Sequence, residues 1–296
     1  MAFNGNPEGT KPYLDAFVRG MSEQGFTLDR DYALEVRHAQ GRSDRYPAIL
    51  GELLAADAEA IVVAGNTIIQ AAKAATATVP IVMATSIDPD ATGLVASLAR
   101  PGGNVTGLTS QSANVTAKRL QMLRELLPGA TRTTLLLDPK VPGAAYAHVL
   151  RETEDAAKAL GFQTTIAEAS TADELDKALA ALPARRPEAL AVGNALLFFT
   201  YRKRIVDFCA QHRIPAIYGS SEAVVEGGLI GYATNVAENF RKAASYVARI
   251  LNGAKPADLP VEQPTRVELF VNMKTAHALG IAIPKSLLAR ADEVIQ

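Results

Sequence analysis

Tryptophan is absent from this 296-residue chain, and cysteine occurs once, at Cys209. A single cysteine excludes an internal disulfide and any Cys-rich metal site. It also leaves a cofactor-free racemase without the pair of thiols it would use as acid and base. The four histidines are scattered, so no metal-ligand spacing forms. Neither sign of charge prevails. Thirty Lys and Arg face 31 Asp and Glu for a net charge of −1, and no basic run is interleaved with aromatics. That gives no electrostatic footprint for nucleic acid or an anionic membrane surface. No apolar stretch approaches the roughly 18 residues of a membrane helix. A Gly-Lys-Ser/Thr phosphate loop is missing, as is a G-x-S-x-G nucleophile elbow. These absences leave no sequence signal for a catalytic centre, a cofactor or a metal.

What is present is an apolar fraction of 48% on a chain long enough for two domains of ordinary size. Residues 60–109 organise the reading. Two short apolar runs, Ala60-Ile-Val-Val-Ala64 and Pro80-Ile-Val-Met-Ala84, are followed at once by Gly65-Asn66-Thr67 and Thr85-Ser86. Short β-branched runs bounded by turn residues read as buried strands of a parallel sheet. The polar turns then fall at the carboxyl edge, where open α/β sheets bind ligands. An Ala-rich helical pattern follows Thr67.

Along the chain the alternation continues. Helical spacing predicts helices over 13–24, 46–54, 67–77 and 114–127, with strands at 33–38, 60–64, 80–84 and 104–108. The pattern restarts with strands at 133–137, 162–167, 189–193, 214–218 and 229–233. Helices are predicted over 146–160, 171–182, 201–212, 220–226 and 240–251, with Thr171-Ala-Asp-Glu174 as a capping box. One further strand (266–271) and two short helices near Ile283-Pro284 complete the chain. Met1 to Pro7 reads as the tail of a first strand plus its loop, without a signal-peptide pattern; an export leader and the start of that strand are expected to be missing. Repeated βαβ units imply α/β architecture in two Rossmann-like lobes with parallel sheets. Two polar carboxyl edges facing across a cleft would suit hinge closure on a small molecule.

Several longer segments carry a resemblance. Arg100-Pro-Gly-Gly-Asn-Val-Thr-Gly107, Gly227-Gly-Leu-Ile-Gly-Tyr232, Ile250-Leu-Asn-Gly-Ala-Lys-Pro-Ala-Asp-Leu-Pro-Val-Glu-Gln263, Asn272-Met-Lys-Thr-Ala-His-Ala-Leu-Gly280 and Ala289-Arg-Ala-Asp-Glu-Val-Ile295 resemble signature segments of the solute-binding proteins of ABC importers, of the tryptophan-binding type. The resemblance covers nearly the whole chain. It implies a type I periplasmic-binding-protein fold with three crossings between lobes, near 109–113, 233–236 and 260–265. The lobes would then comprise 1–110 with 235–261, and 111–234 with 262–296. It further implies export to the periplasm, a partner permease and ATPase, a monomer, and no catalysis. The missing leader departs from the family pattern.

Candidate ligand contacts follow the strands. In the first lobe they are Asn4 and Asn6, Gly65, Asn66 and Thr67, Thr85 and Ser86, and Asp88 before Pro89. Each polar residue has a plain alternative as a helix cap or turn former; residue chemistry alone favours the caps, and the resemblance favours the ligand. Asp88-Pro89-Asp90 is read as a turn rather than a metal or acid/base pair, and Pro101-Gly102-Gly103 as a turn rather than a phosphate loop. In the second lobe the candidates are Tyr146, Asn194, Ala195, Phe198, Tyr218, Gly219 and Glu222. Glu222 serves equally as a helix-dipole charge or as a partner for a ligand ammonium; Tyr146 and Phe198 serve equally as core or as cleft wall. The expected ligand is a small carboxylate, an amino acid or an aromatic or branched organic acid. A cofactor-independent enzyme and an effector-binding regulator module are the alternatives on the same architecture.

Overall fold

The computed structural model describes residues 1–109, 113–140, 145–263 and 267–296. In chain order, β1 (Ala2–Phe3), α1 (Pro7–Glu23), β2 (Arg37–His38), α2 (Tyr46–Ala55), β3 (Ile61–Ala64), α3 (Asn66–Ala75), β4 (Ile81–Thr85) and β5 (Val105–Gly107) open the chain. Next come α4 (Ala113–Leu126), β6 (Arg132–Leu137), α5 (Ala145–Ala159), β7 (Gln163–Glu168), α6 (Ala172–Arg185), β8 (Ala189–Val192), α7 (Leu196–Thr200), α8 (Arg202–Gln211), β9 (Ala216–Tyr218), α9 (Ser221–Val225) and β10 (Ile230–Thr234). The chain ends with α10 (Val236–Leu251), β11 (Val267–Asn272), α11 (Met273–Leu279), α12 (Lys285–Arg290) and β12 (Glu293–Ile295). It divides into two units, Met1–Gln111 with Val236–Thr265, and Ser112–Asn235 with Arg266–Gln296. The chain therefore crosses between units three times. Of the crossing segments expected from sequence, 110–112 and 264–265 lie outside the described residues.

The first unit holds a five-stranded parallel sheet in the order β2-β1-β3-β4-β5. The strands at 60–64 and 80–84 form as read, because every residue of Ile61–Val63 and Ile81–Ala84 is buried. The strand read at 33–38 shrinks to Arg37–His38. Its partner β1 offers only Ala2 and Phe3 for pairing, and a ladder cannot run past the shorter strand. Asn6 caps α1, its side chain accepting from the Gly9 N–H at 2.9 Å. Helix α10 packs on α1 so closely that a Cβ on Gly20 would stand 2.3 Å from the Arg241 carbonyl oxygen. Phe3, Tyr13 and Phe240 stack beside that contact, at centroid distances of 5.3 and 5.4 Å.

The second unit holds a seven-stranded sheet in the order β12-β11-β10-β9-β8-β6-β7. Strand alternation divides its core between two faces. Leu135, Leu137, Ala189, Ala191 and Ile217 face one cluster, and Leu136, Leu190, Val192, Ala216 and Tyr218 the other. One expectation is corrected here: the sheet is not wholly parallel, since β11 runs antiparallel to β10. Between them the chain leaves for the first unit through α10, so no right-handed βαβ crossover dictates the direction of β11. Strand β12 and the short helix α7 escaped the sequence reading, being only three and five residues long. Thr171 caps α6 as read, accepting from the Glu174 N–H at 3.2 Å. Glu174 returns its carboxylate to the Ser170 N–H, one residue earlier than the standard box.

Candidate functional site

In the first unit the parallel strands β1, β3 and β4 end along one edge, and the residues that follow them are the sequence candidates. The structure separates these into two groups. Asn4, Asn6, Asn66, Ser86 and Asp88 are committed to the unit's own architecture. The Asn4 side-chain amide oxygen accepts from the Tyr46 hydroxyl at 2.7 Å, and Asn6 caps α1. Asn66 works as a backbone mimic: its amide donates to the Ile87 carbonyl at 2.6 Å and accepts the Ile87 N–H at 2.8 Å. Ser86 is buried and donates to the Leu108 carbonyl at 3.1 Å, while the Thr109 hydroxyl returns to the Ser86 carbonyl. Asp88 holds φ 43°, and its carbonyl takes both the N–H and the hydroxyl of Thr92. It shapes the turn, as the sequence suggests.

Thr67 and Thr85 form the second group. Thr67 is exposed and Thr85 half-buried, and neither hydroxyl has a protein partner among the described residues. Gly65 stands between them at the start of α3 with φ 97°, and its N–H donates to the Thr85 carbonyl at 2.9 Å. Glycine supplies no side chain to cap α3, so the first N–H groups of that helix keep their donors uncapped. Two unengaged hydroxyls therefore flank a helix start with partial positive charge. Replacing Asn66 with Ala would leave the Ile87 N–H and carbonyl without their partner. We expect a loss of about 1–3 kcal/mol from the first unit, read as a lower urea midpoint of its unfolding transition.

In the second unit Asn194 is exposed after β8, and Ala195 is the N-cap position of α7. Glu222, half-buried, accepts from the Ser221 hydroxyl at 3.2 Å. The Ser220 hydroxyl caps α9 through the Ala223 N–H. Tyr146 is half-buried, its ring against the core and its hydroxyl donating to Glu168. Two candidates change character. Phe198 and Tyr218, 3% and 2% exposed, sit inside the cluster with Leu136, Val192 and Ala223. They are packing residues of this unit, and a ligand could reach them only by repacking it. The reason is local: in a three-residue strand, period-2 reasoning cannot decide which face Tyr218 takes. Tyr218 lies against Cys209, whose thiol burial pushes up to about 12, so that thiol is no nucleophile.

Arg119, on α4, was not singled out by the sequence reading. Its side chain is in fact buried, at 3% exposure. Its Nε donates to the Tyr232 carbonyl at 2.7 Å. A Cβ on Gly219 would stand 3.2–3.3 Å from the guanidinium carbon and both terminal nitrogens. Only a count of hydrophobic positions along α4 could have hinted at this, since Arg119 adjoins Leu120 and Leu123, which are fully buried.

Among the described residues no helix is long and apolar enough to cross a membrane. Two α/β units built on open, largely parallel sheets and joined by three crossings are the fold of type I periplasmic binding proteins. A solved Streptococcus pneumonia ABC domain in complex with L-Trp shares this fold, with a TM-score of 0.89, 21% identity, and coverage of 99% of this chain and 98% of that one. A conserved domain protein from Vibrio cholerae superposes equally well, at TM-score 0.89, 22% identity and 99% and 97% coverage. A tyrosine-binding protein of Clostridioides difficile is 24% identical over 274 residues, spanning 91% of this chain and 78% of that protein. Residues 9–295 match the family described as ABC transporter substrate binding protein, and the chain belongs to that family.

Proposed function

We propose that this protein captures a small carboxylate-bearing solute, an aromatic amino acid above all, and delivers it to an ABC permease and its ATPase. It does so from the periplasm, as a monomer, and without catalysis. The observation that carries this reading is the edge of the first unit. There the unengaged Thr67 and Thr85 hydroxyls flank the uncapped start of α3. Those neutral donors suit an anion, because a hydrogen bond to a charged acceptor is worth about 1.5–3 kcal/mol. The Streptococcus protein holds L-Trp, and the Clostridioides relative is a tyrosine-binding protein, which directs the choice of solute. Asn194 and Glu222 are the groups of the second unit suited to an ammonium, and the Tyr146 ring to an aromatic body.

Binding is read as closure of the two units about their crossings. Small-angle scattering should record a smaller radius of gyration at saturating L-tyrosine or L-tryptophan. An unchanged radius would count against closure. Thermal shift supplies the companion test. At about 100 times the dissociation constant, a ligand that binds only the folded form stabilises it by roughly 2.7 kcal/mol. Aromatic amino acids should raise the melting temperature and sugars should not; a response to sugars alone would remove the carboxylate from this reading.

A further inference from the structure

Tyr46 opens α2 and is 3% exposed, its ring in the cluster of Ile49, Leu50, Val63 and Ile69. Burial pushes its pKa up to about 12, so the hydroxyl keeps its proton at neutral pH. A buried hydroxyl proton needs an acceptor. Among the described residues it has one, the Asn4 side-chain oxygen at 2.7 Å. That bond settles which way the Asn4 amide faces, with Oδ1 turned to Tyr46 and Nδ2 turned away from it. The Asn4 backbone is held as well, its carbonyl accepting from the Gly41 N–H at 2.6 Å.

The engagement of Asn4 is therefore one-sided. Its Nδ2 has no protein partner among the described residues. Nor is it one of the buried side-chain atoms that lack a partner there, which are Tyr32 Oη, Arg202 Nε and Asn239 Nδ2. Asn4 is half-buried, so its two free N–H groups meet solvent. Register defines their place in the sheet. Ala2 is level with Val63 across β1 and β3, and two residues further on Asn4 comes level with Gly65. Neighbouring strands lie about 4.8 Å apart. On the other side of Gly65 stands Thr85, whose carbonyl takes the Gly65 N–H at 2.9 Å. Nothing lies within 4 Å of the position a Cβ would take on Gly65. The space beside the Gly65 backbone is thus open, with Asn4 at one neighbouring strand end and Thr85 at the other. All of these residues belong to the first unit.

We propose that Asn4 Nδ2 is a third neutral donor of the ligand edge, beside the Thr67 and Thr85 hydroxyls, and that Tyr46 is its positioning residue. This rests on the reading that the solute carries a carboxylate. An amide free to turn offers its oxygen as readily as its nitrogen, and the oxygen would repel an anion. By holding Oδ1, Tyr46 leaves only donors for the ligand. The edge then selects a carboxylate over its neutral amide, which brings a donor of its own to meet them. The competing role is purely structural, a tie between the end of β1 and the start of α2.

The test is calorimetry of L-tyrosine against L-tyrosinamide on the full chain, read as the ratio of the two affinities. Tyr46→Phe keeps the ring and removes the proton that orients Asn4. Its preference for the acid should fall about 2- to 10-fold, the value of one neutral hydrogen bond. Asn4→Asp keeps an acceptor for Tyr46 and turns the free donors into a charged acceptor. Its preference should fall about 10- to 100-fold. A merely structural tie would lower the melting temperature of Tyr46→Phe and leave the ratio at the wild-type value, because it acts on both ligands alike. Thr85→Val is the reference. If that variant loses the preference while Tyr46→Phe and Asn4→Asp keep it, the proposal is overturned and the carboxylate reading stands. A loss in Asn4→Asp with none in Tyr46→Phe overturns the positioning role of Tyr46. A wild type that binds neither ligand, or both alike, overturns the proposed function and this inference together. Should Tyr46→Phe not fold, Asn4→Asp decides, since an unchanged ratio there overturns the proposal by itself.

Discussion

Gly107→Ala is expected to destabilise the first unit by roughly 3–5 kcal/mol. Gly107 holds φ 125°, a region that side chains rarely adopt. It also lies against β4 so tightly that an added Cβ would stand 2.3 Å from the Met83 carbonyl oxygen and 2.6 Å from the Met83 nitrogen. Neither atom can yield without breaking the β4–β5 ladder, where the neighbouring Leu108 N–H donates to that same carbonyl at 2.7 Å. Gly103→Ala is the control, since nothing lies within 4 Å of its Cβ position. Urea unfolding of the first unit should lose most of its midpoint in the first variant and little in the second. A Gly107→Ala midpoint within experimental error of wild type would show that β5 does not pair as described.

Thr85→Val should weaken every carboxylate ligand by about 10- to 100-fold, the value of one donor to a charged acceptor. Valine matches threonine in shape, and the Thr85 hydroxyl has no protein partner among the described residues to lose. The folded protein should therefore keep its melting temperature while affinity falls. Glu222→Gln should act differently. It should weaken amino acids by a similar factor and leave the corresponding acids without an amine unchanged, because it removes only the charge that meets an ammonium. Calorimetry on tyrosine and on 4-hydroxyphenylpropionate separates the two. Wild-type affinity in Thr85→Val would take this turn out of the site; equal losses for both ligands in Glu222→Gln would take the amine contact out.

The strands β3 and β4 were legible because Ile61–Val63 and Ile81–Ala84 are buried on both faces. A buried parallel strand writes itself as an unbroken apolar run that stops at a polar turn. The same logic fails for β11, whose direction depends on the detour through α10 rather than on any local pattern. At the strand ends, the sequence pattern could not sort capping groups from unengaged donors. Asn66 and Thr67 are adjacent and equally polar. One closes a pair of hydrogen bonds with Ile87, and the other is left to solvent, and only the position of the Ile87 peptide decides that. Phe198 and Tyr218 went to the core for the related reason that face is undetermined in very short elements. Arg119 was invisible because charge predicts exposure on average, and the exceptions are set by tertiary packing.

The most direct measurement of the central claim is a calorimetric titration of wild-type protein with L-tyrosine, L-tryptophan, their decarboxylated amines and a panel of sugars. The account predicts one-site binding of at least one of the two amino acids. It predicts affinity lower by a factor of about ten or more for the matching amine, which lacks the group that the turn donors hold. Equal affinity for tyrosine and tyramine, or heat from sugars alone, would contradict it.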